Sequence, residues 1–143
     1  MNSSSLIIKE QFNSLPDKVW KAITDIYEIH KWYFPEIPAF KPQVGFETKF
    51  NISFDNKNYM HIWKVTDVQT GKRIAYDWQY EGYPGHSNVC WEIIPRGEET
   101  ELILTHTGLE SFPQDNPDFA IESFSKGWTE IIKEGLKKYL SNL

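Results

Sequence analysis

The side chains able to do chemistry in this 143-residue chain are few, and their spacing excludes more than it proposes. His30, His61, His86 and His106 show neither the i, i+4 spacing of a helical metal pair nor a nearby Cys-x-x-Cys, so no metal site is expected. Cys90 stands alone, out of phase with Val89 and Trp91. No G-x-S-x-G occurs, so a hydrolase triad has no support. No glycine-rich loop follows a strand to cradle phosphate, and no cofactor is expected. His61 and His106 stand out because each shares a strand phase with aromatic residues. Each is either a core histidine satisfied by a hydroxyl or backbone group, or a polar anchor for a ligand in an apolar pocket. Tyr76 and Tyr80 are aromatic walls first and hydroxyl donors second. An acid–base reaction would draw on His61 with Tyr76 or Tyr80, and Glu10 is the one inward-phase carboxylate. No catalytic residue is assigned.

The elements that must position these groups follow from periodicity. Residues 5–13 alternate as a strand, with Leu6, Ile8 and Phe12 in one phase. Ser14-Leu15-Pro16-Asp17 reads as a helix start with Ser14 as the cap, and Asp25 restarts a second short helix that ends by Phe34. From residue 44 the period becomes two. Val44, Phe46, Thr48, Phe50, Ile52 and Phe54 share one face, and Tyr59, His61, Trp63 and Val65 share the next. Ile74, Tyr76, Trp78 and Tyr80 follow, then Val89, Trp91 and Ile93, then Leu102, Leu104 and His106. Short turns join these strands, which predicts an antiparallel meander. Asn116 and Pro117 open a long helix whose stripe, Phe124, Trp128, Ile131, Ile132, Leu136, Tyr139 and Leu140, recurs at about 3.6 residues. Glu122 with Lys126 and Glu134 with Lys138 are set for ion pairs on its wet face. The predicted fold is α+β, a curved antiparallel sheet of about six strands wrapped around one long helix, in a single domain over residues 1–143.

Composition narrows the partners. Fifteen basic and twenty acidic residues leave a net charge of −5, against a nucleic-acid backbone. The longest aliphatic run is Leu6-Ile7-Ile8, too short to span a bilayer, and the opening M-N-S-S-S lacks the pattern of a signal peptide. A cytoplasmic location is the expectation. Nine Phe, six Trp and seven Tyr make up 15% of the chain. Such rings line a concave site with few side chains, and they equally fill a core. Gly127 and Gly135 inside the long helix signal either close helix–sheet approach, the reading preferred for both, or room for a ligand.

These elements carry a resemblance. P-D-K-V-W-K-A-I-T-D (Pro16 to Asp25, then Trp32), K-V-T-D-V (Lys64 to Val68) and K-R-I-A-Y-D-W (Lys72 to Trp78) are three of its pieces. E-T-E-L-I-L-T-H-T-G-L (Glu99 to Leu109) and G-W-T-E-I-I-K-E-G-L (Gly127 to Leu136) are the strongest. Over residues 6–141 the chain resembles the START-like (SRPBCC) superfamily with the helix-grip fold. The nearest group is the one homologous to the activator of the ninety-kilodalton heat-shock-protein ATPase. The proline pair usual in that group is replaced by Thr70-Gly71, a turn-for-turn exchange. The resemblance implies a deep apolar cavity between sheet and C-terminal helix. Relatives bind or transfer lipids, sterols and polyketides, and some catalyse cyclisation or dehydration. His106 falls in the T-H-x-G motif of the group, where a structural role is expected, which leaves His61 as the ligand contact. The co-chaperone role belongs to eukaryotic members with an additional N-terminal domain, for which this chain is expected to have no room.

The expected ligand-binding residues are Trp32, Phe50, Tyr59, His61, Trp63, Tyr76, Trp78, Tyr80, Trp91, Phe124 and Trp128. The mouth is expected where Trp32-Tyr33-Phe34, the 82–86 loop and the start of the long helix meet. The first reading is a binding protein for a small hydrophobic or aromatic, lipid- or polyketide-like molecule. A cyclase- or dehydratase-like enzyme ranks second. A protein-interaction module, acting on a chaperone or as a homodimer through Ile62, Ile94 and Ile103, ranks third.

Overall fold

A computed structural model describes residues 5–143, so the first four residues, on which most of the signal-peptide reading rests, lie outside it. The chain runs β1 (Leu6–Phe12), α1 (Pro16–Thr24), α2 (Ile26–Trp32), β2 (Glu47–Phe54), β3 (Lys57–Gln69), β4 (Arg73–Tyr80), β5 (Ser87–Arg96) and β6 (Glu99–Thr107). Two 3₁₀ turns, Leu109–Ser111 and Pro117–Phe119, lead into the C-terminal helix. That helix comprises α3 (Ile121–Thr129), a π-helical segment (Glu130–Leu136) and α4 (Lys137–Ser141). The strands form one antiparallel sheet in the order β1-β6-β5-β4-β3-β2, the predicted meander with β1 added beside β6. Asp55 and Asn56 both take positive φ, the left-handed geometry of a tight β2–β3 hairpin. A bulge at Val65/Asp67 interrupts the β3–β4 register and adds twist in the last third of the 13-residue β3. Among the described residues, no helix is long and apolar enough to cross a membrane.

Local details depart from the sequence expectation for identifiable reasons. β2 begins at Glu47 rather than at Val44, because Gly45 takes φ +94° and the chain is still turning there. Ser14 does not cap α1. The cap is Leu15, and the Ser14 carbonyl instead accepts from Thr100 Oγ1 at 2.6 Å. Asp25 caps α2 as expected, its carboxylate accepting from the Glu28 N–H at 3.2 Å. Asn116 caps the turn Pro117–Phe119, not the long helix, which starts four residues after Pro117. Neither predicted ion pair on the long helix closes among the described residues. Glu10 instead gathers Lys133 and Lys137 and ties β1 to the helix.

The buried stripe of the long helix is Phe124, Trp128, Ile132, Leu136 and Leu140, a strict repeat of four. On an α-helix each step of four rotates about 40° past a full turn, so four steps would carry Leu140 to the far side. The π segment has a wider turn and rotates the stripe back. That is why all five stay buried against the sheet, and why a plain 3.6 period is not the whole description.

Candidate functional site

The concave face of the sheet is not uniformly hollow. At its centre Trp63 stacks on Tyr76 with centroids 4.5 Å apart, and Tyr33 inserts between Trp63 at 5.4 Å and Trp128 at 5.9 Å. The Tyr33 and Tyr76 hydroxyls meet at 2.9 Å, and Trp91 Nε1 donates to Tyr76 at 3.0 Å. Burial pushes both phenols up, so they are neutral linkers of a packed core. Tyr33 therefore plugs the middle of the fold instead of standing at a mouth. Trp32 is pinned by donation to the Ala22 carbonyl at 2.9 Å, which locks α2 onto α1.

Space opens at one end, between the β2–β4 side of the sheet and the first turns of α3. This cleft holds about 400 Å³, within the range of small-molecule sites. Its floor is Tyr59, His61, Trp78 and Tyr80 of the sheet, its roof Phe124, Gly127, Trp128 and Ile131 of the helix, and Phe34 and Phe119 also line it. Gly127 explains part of the opening, since a Cβ there would meet nothing within 4 Å. Gly135 is the opposite case. A Cβ there would lie 3.1 Å from the Trp32 carbonyl oxygen, so that glycine does serve close approach. Thus the expected close helix–sheet approach is found at neither glycine: Gly135 serves close approach to α2, and Gly127 faces open space.

The two inward histidines divide as their neighbours dictate. His106 Nδ1 accepts from Trp128 Nε1 at 3.0 Å, which places its proton on Nε2, and that proton goes to Ser87 Oγ at 2.9 Å. Ser87 donates onward to the Trp78 carbonyl at 2.7 Å. Both ring nitrogens are used, and burial lowers the His106 pKa to about 3. His61 Nδ1 donates to the Tyr59 carbonyl at 2.9 Å, so its Nε2 carries the lone pair. Nε2 has no partner among the described residues and is not sealed off, and the residue lines the cleft. Burial lowers the His61 pKa to about 4, which keeps the ring neutral.

The rim is polar. Tyr59 donates to Asp118 Oδ2 at 2.5 Å, and Lys57 reaches the same oxygen at 3.3 Å. The Tyr59 hydroxyl and Lys57 hold the Asp118 carboxyl below its usual range, and the cluster clamps the Pro117–Phe119 turn to β3. Lys126 and Glu130 also line the cleft, as do Ile52 and Phe54 of the edge strand. Among the described residues, no group of three or more His, Cys, Asp and Glu is gathered in a way that could hold a metal ion.

Of the residues singled out in the sequence, the structure brings Tyr59, His61, Trp78, Tyr80, Phe124 and Trp128 together around the cleft. Phe50, Trp63, Tyr76 and Trp91 lie outside its wall, each at most 4% exposed, as does Trp32. Phe34 lines the cleft. The 82–86 loop stands behind the wall, with Tyr83 packed on Tyr59 and Phe119. Phe119, Gly127 and Ile131 were not named as contacts. The Asn116-Pro117 signal marked a turn in the right place, and reading it as the start of a continuous helix hid Phe119.

The family described as Activator of Hsp90 ATPase homolog 1-like protein matches residues 13–141. Among solved structures, Mll3558 from Rhizobium loti is 18% identical, with a TM-score of 0.82 over 96% of this chain and 97% of that one. DynU16, from the dynemicin biosynthetic locus, is 20% identical with a TM-score of 0.76 over 96% of this chain, which spans only 47% of DynU16. PFC0360w, an HSP90 activator from Plasmodium falciparum, is 23% identical with a TM-score of 0.71 over 96% of each chain. No curated protein matches the chain. With the helix-grip architecture in place and the family match running from Asn13 to Ser141, this chain belongs to the Activator of Hsp90 ATPase homolog 1-like family.

Proposed function

We propose that this protein binds a small apolar or aromatic molecule in the cleft between β2–β4 and α3. The carrying observation is the cleft itself, about 400 Å³ walled mostly by rings, with Gly127 leaving room in its roof. Burial of a ligand's apolar surface there is worth roughly 25 cal/mol per Å², enough for affinity without covalent chemistry. Binding ranks above catalysis on proton chemistry. A base with a pKa of about 4 and a phenol pushed above its ordinary value are both poor proton movers near neutral pH. His61 and Tyr80 therefore orient a ligand. The dynemicin locus of DynU16 is compatible with such a role without naming a ligand.

The neutral fluorophore N-phenyl-1-naphthylamine tests this. Its emission should rise on titration, saturate at one equivalent, and fail to rise with the Gly127→Leu variant, whose side chain fills the roof. Circular dichroism would show that variant to be folded. Absence of enhancement in the native chain, or enhancement indifferent to Gly127→Leu, would reject the cleft as the binding site.

A further inference from the structure

Hydrogen-bond accounting on the cleft floor carries the binding reading one step further, and the step rests on that reading. His61 and Tyr80 are cross-strand partners in the β3–β4 register, with ring centroids 4.7 Å apart. The Nδ1 proton of His61 is committed to the Tyr59 carbonyl, so Nε2 can only accept. The Tyr80 oxygen accepts from Trp78 Nε1 at 2.8 Å, while its own proton has no acceptor among the described residues. One unused acceptor and one unused donor thus belong to neighbouring rings of the cleft floor. His106 carries no such vacancy, because Trp128 and Ser87 take both of its nitrogens.

We propose that the cleft selects an uncharged molecule bearing a hydroxyl on an apolar ring system, with His61 Nε2 receiving the hydroxyl proton and Tyr80 donating to its oxygen. A hydroxyl is the small group that offers both a proton and a lone pair. An ether or a bare hydrocarbon would leave the His61 lone pair unmatched in a partly desolvated site. A carboxylate is worse, since its oxygens are acceptors facing another acceptor. The rim does not compensate, because Lys57 is engaged with Asp118, and Lys126 lines the cleft together with two carboxylates, Asp118 and Glu130. His61 is in this sense a specificity residue.

Equilibrium dialysis near pH 7 against naphthalene, 2-methoxynaphthalene, 2-naphthol and the 2-naphthoate anion separates the alternatives. The naphthol should bind roughly three- to tenfold more tightly than the methyl ether, the value of one hydrogen bond, and the naphthoate most weakly. The His61→Phe variant should lose the preference for the naphthol over its methyl ether, a ratio read within the variant itself. In the native chain, naphthol should move the nitrogen-15 resonance of His61 Nε2 upfield, and naphthalene should not. Equal affinity across the four, a preference for the naphthoate, or a naphthol preference that survives His61→Phe would overturn the proposal while leaving the binding reading intact. Failure of every probe, naphthalene included, would instead remove the binding reading and this step with it.

Discussion

In His106 the Trp128 indole fills Nδ1 while Ser87 takes the proton on Nε2, and Ser87 passes its own proton to the Trp78 backbone. One imidazole on β6 thereby satisfies Trp128 of α3 and Ser87 of β5 directly, and Ser87 extends the chain to β4. His61 makes a single bond, to a carbonyl two residues away on its own strand. The physical consequence is unequal sensitivity to substitution. His106→Leu strands a buried indole N–H and disturbs Ser87, and should cost about 2–4 kcal/mol. His61→Leu leaves only the Tyr59 carbonyl short and should cost about 1 kcal/mol. Urea unfolding of the two variants at neutral pH checks this, and an equal or reversed order would mean that the relay does not hold the helix to the sheet. The sequence showed both histidines in the inward phase and no more. Which nitrogen touches what depends on Trp128, 22 residues beyond His106 and on another element.

The long helix is where local pattern and tertiary setting meet. Its two internal glycines have the same propensity cost, about 1 kcal/mol against Ala, and opposite surroundings. Gly127→Ala meets open space and should raise stability by about that amount, while the added methyl shaves the cleft and weakens ligand binding. Gly135→Ala would press a methyl to 3.1 Å from the Trp32 carbonyl oxygen, a backbone atom that cannot swing away. It should gain nothing or lose stability. Thermal melts of the two variants read the difference directly, and a gain at both positions would mean that α2 does not pack tightly there. Nearly every element was legible because alternation and stripes are local. The meander, the Asp25 restart and the Phe124–Leu140 stripe all follow from spacing. The π segment was not legible. A strict repeat of four hints at it only once all five residues are known to face one sheet. Nor was the split between filled centre and open end. Tyr33 reads as one of three consecutive rings, and only the docking of α2 sends its hydroxyl to Tyr76.

For the molecule as a whole, the two neutral histidines set how it meets acid. Both are held far below the ordinary value of about 6.5, His61 at about 4 and His106 at about 3, with burial as the largest cause in each. Between those values and 6.5 the unfolded chain binds protons that the folded chain refuses, so stability rises with pH and falls on acidification. Each histidine contributes a slope approaching about 1.4 kcal/mol per pH unit in that window, and two approach about 2.7. The His61 part is exhausted below about 4, and the His106 part continues to about 3. Glu10 and Asp118, both held low by lysine partners and, for Asp118, by Tyr59, act in the same direction. Their window lies lower, beneath the ordinary carboxylate range, so the fall from pH 6.5 to 5 belongs to the histidines. Against a typical stability of about 5–15 kcal/mol, this slope removes a large share before most carboxylates protonate. Urea midpoints at intervals between pH 7 and 5 should trace it, with the slope roughly halved in the His61→Leu variant. A flat profile over that range would mean that water reaches both imidazoles, and with them the core between sheet and helix.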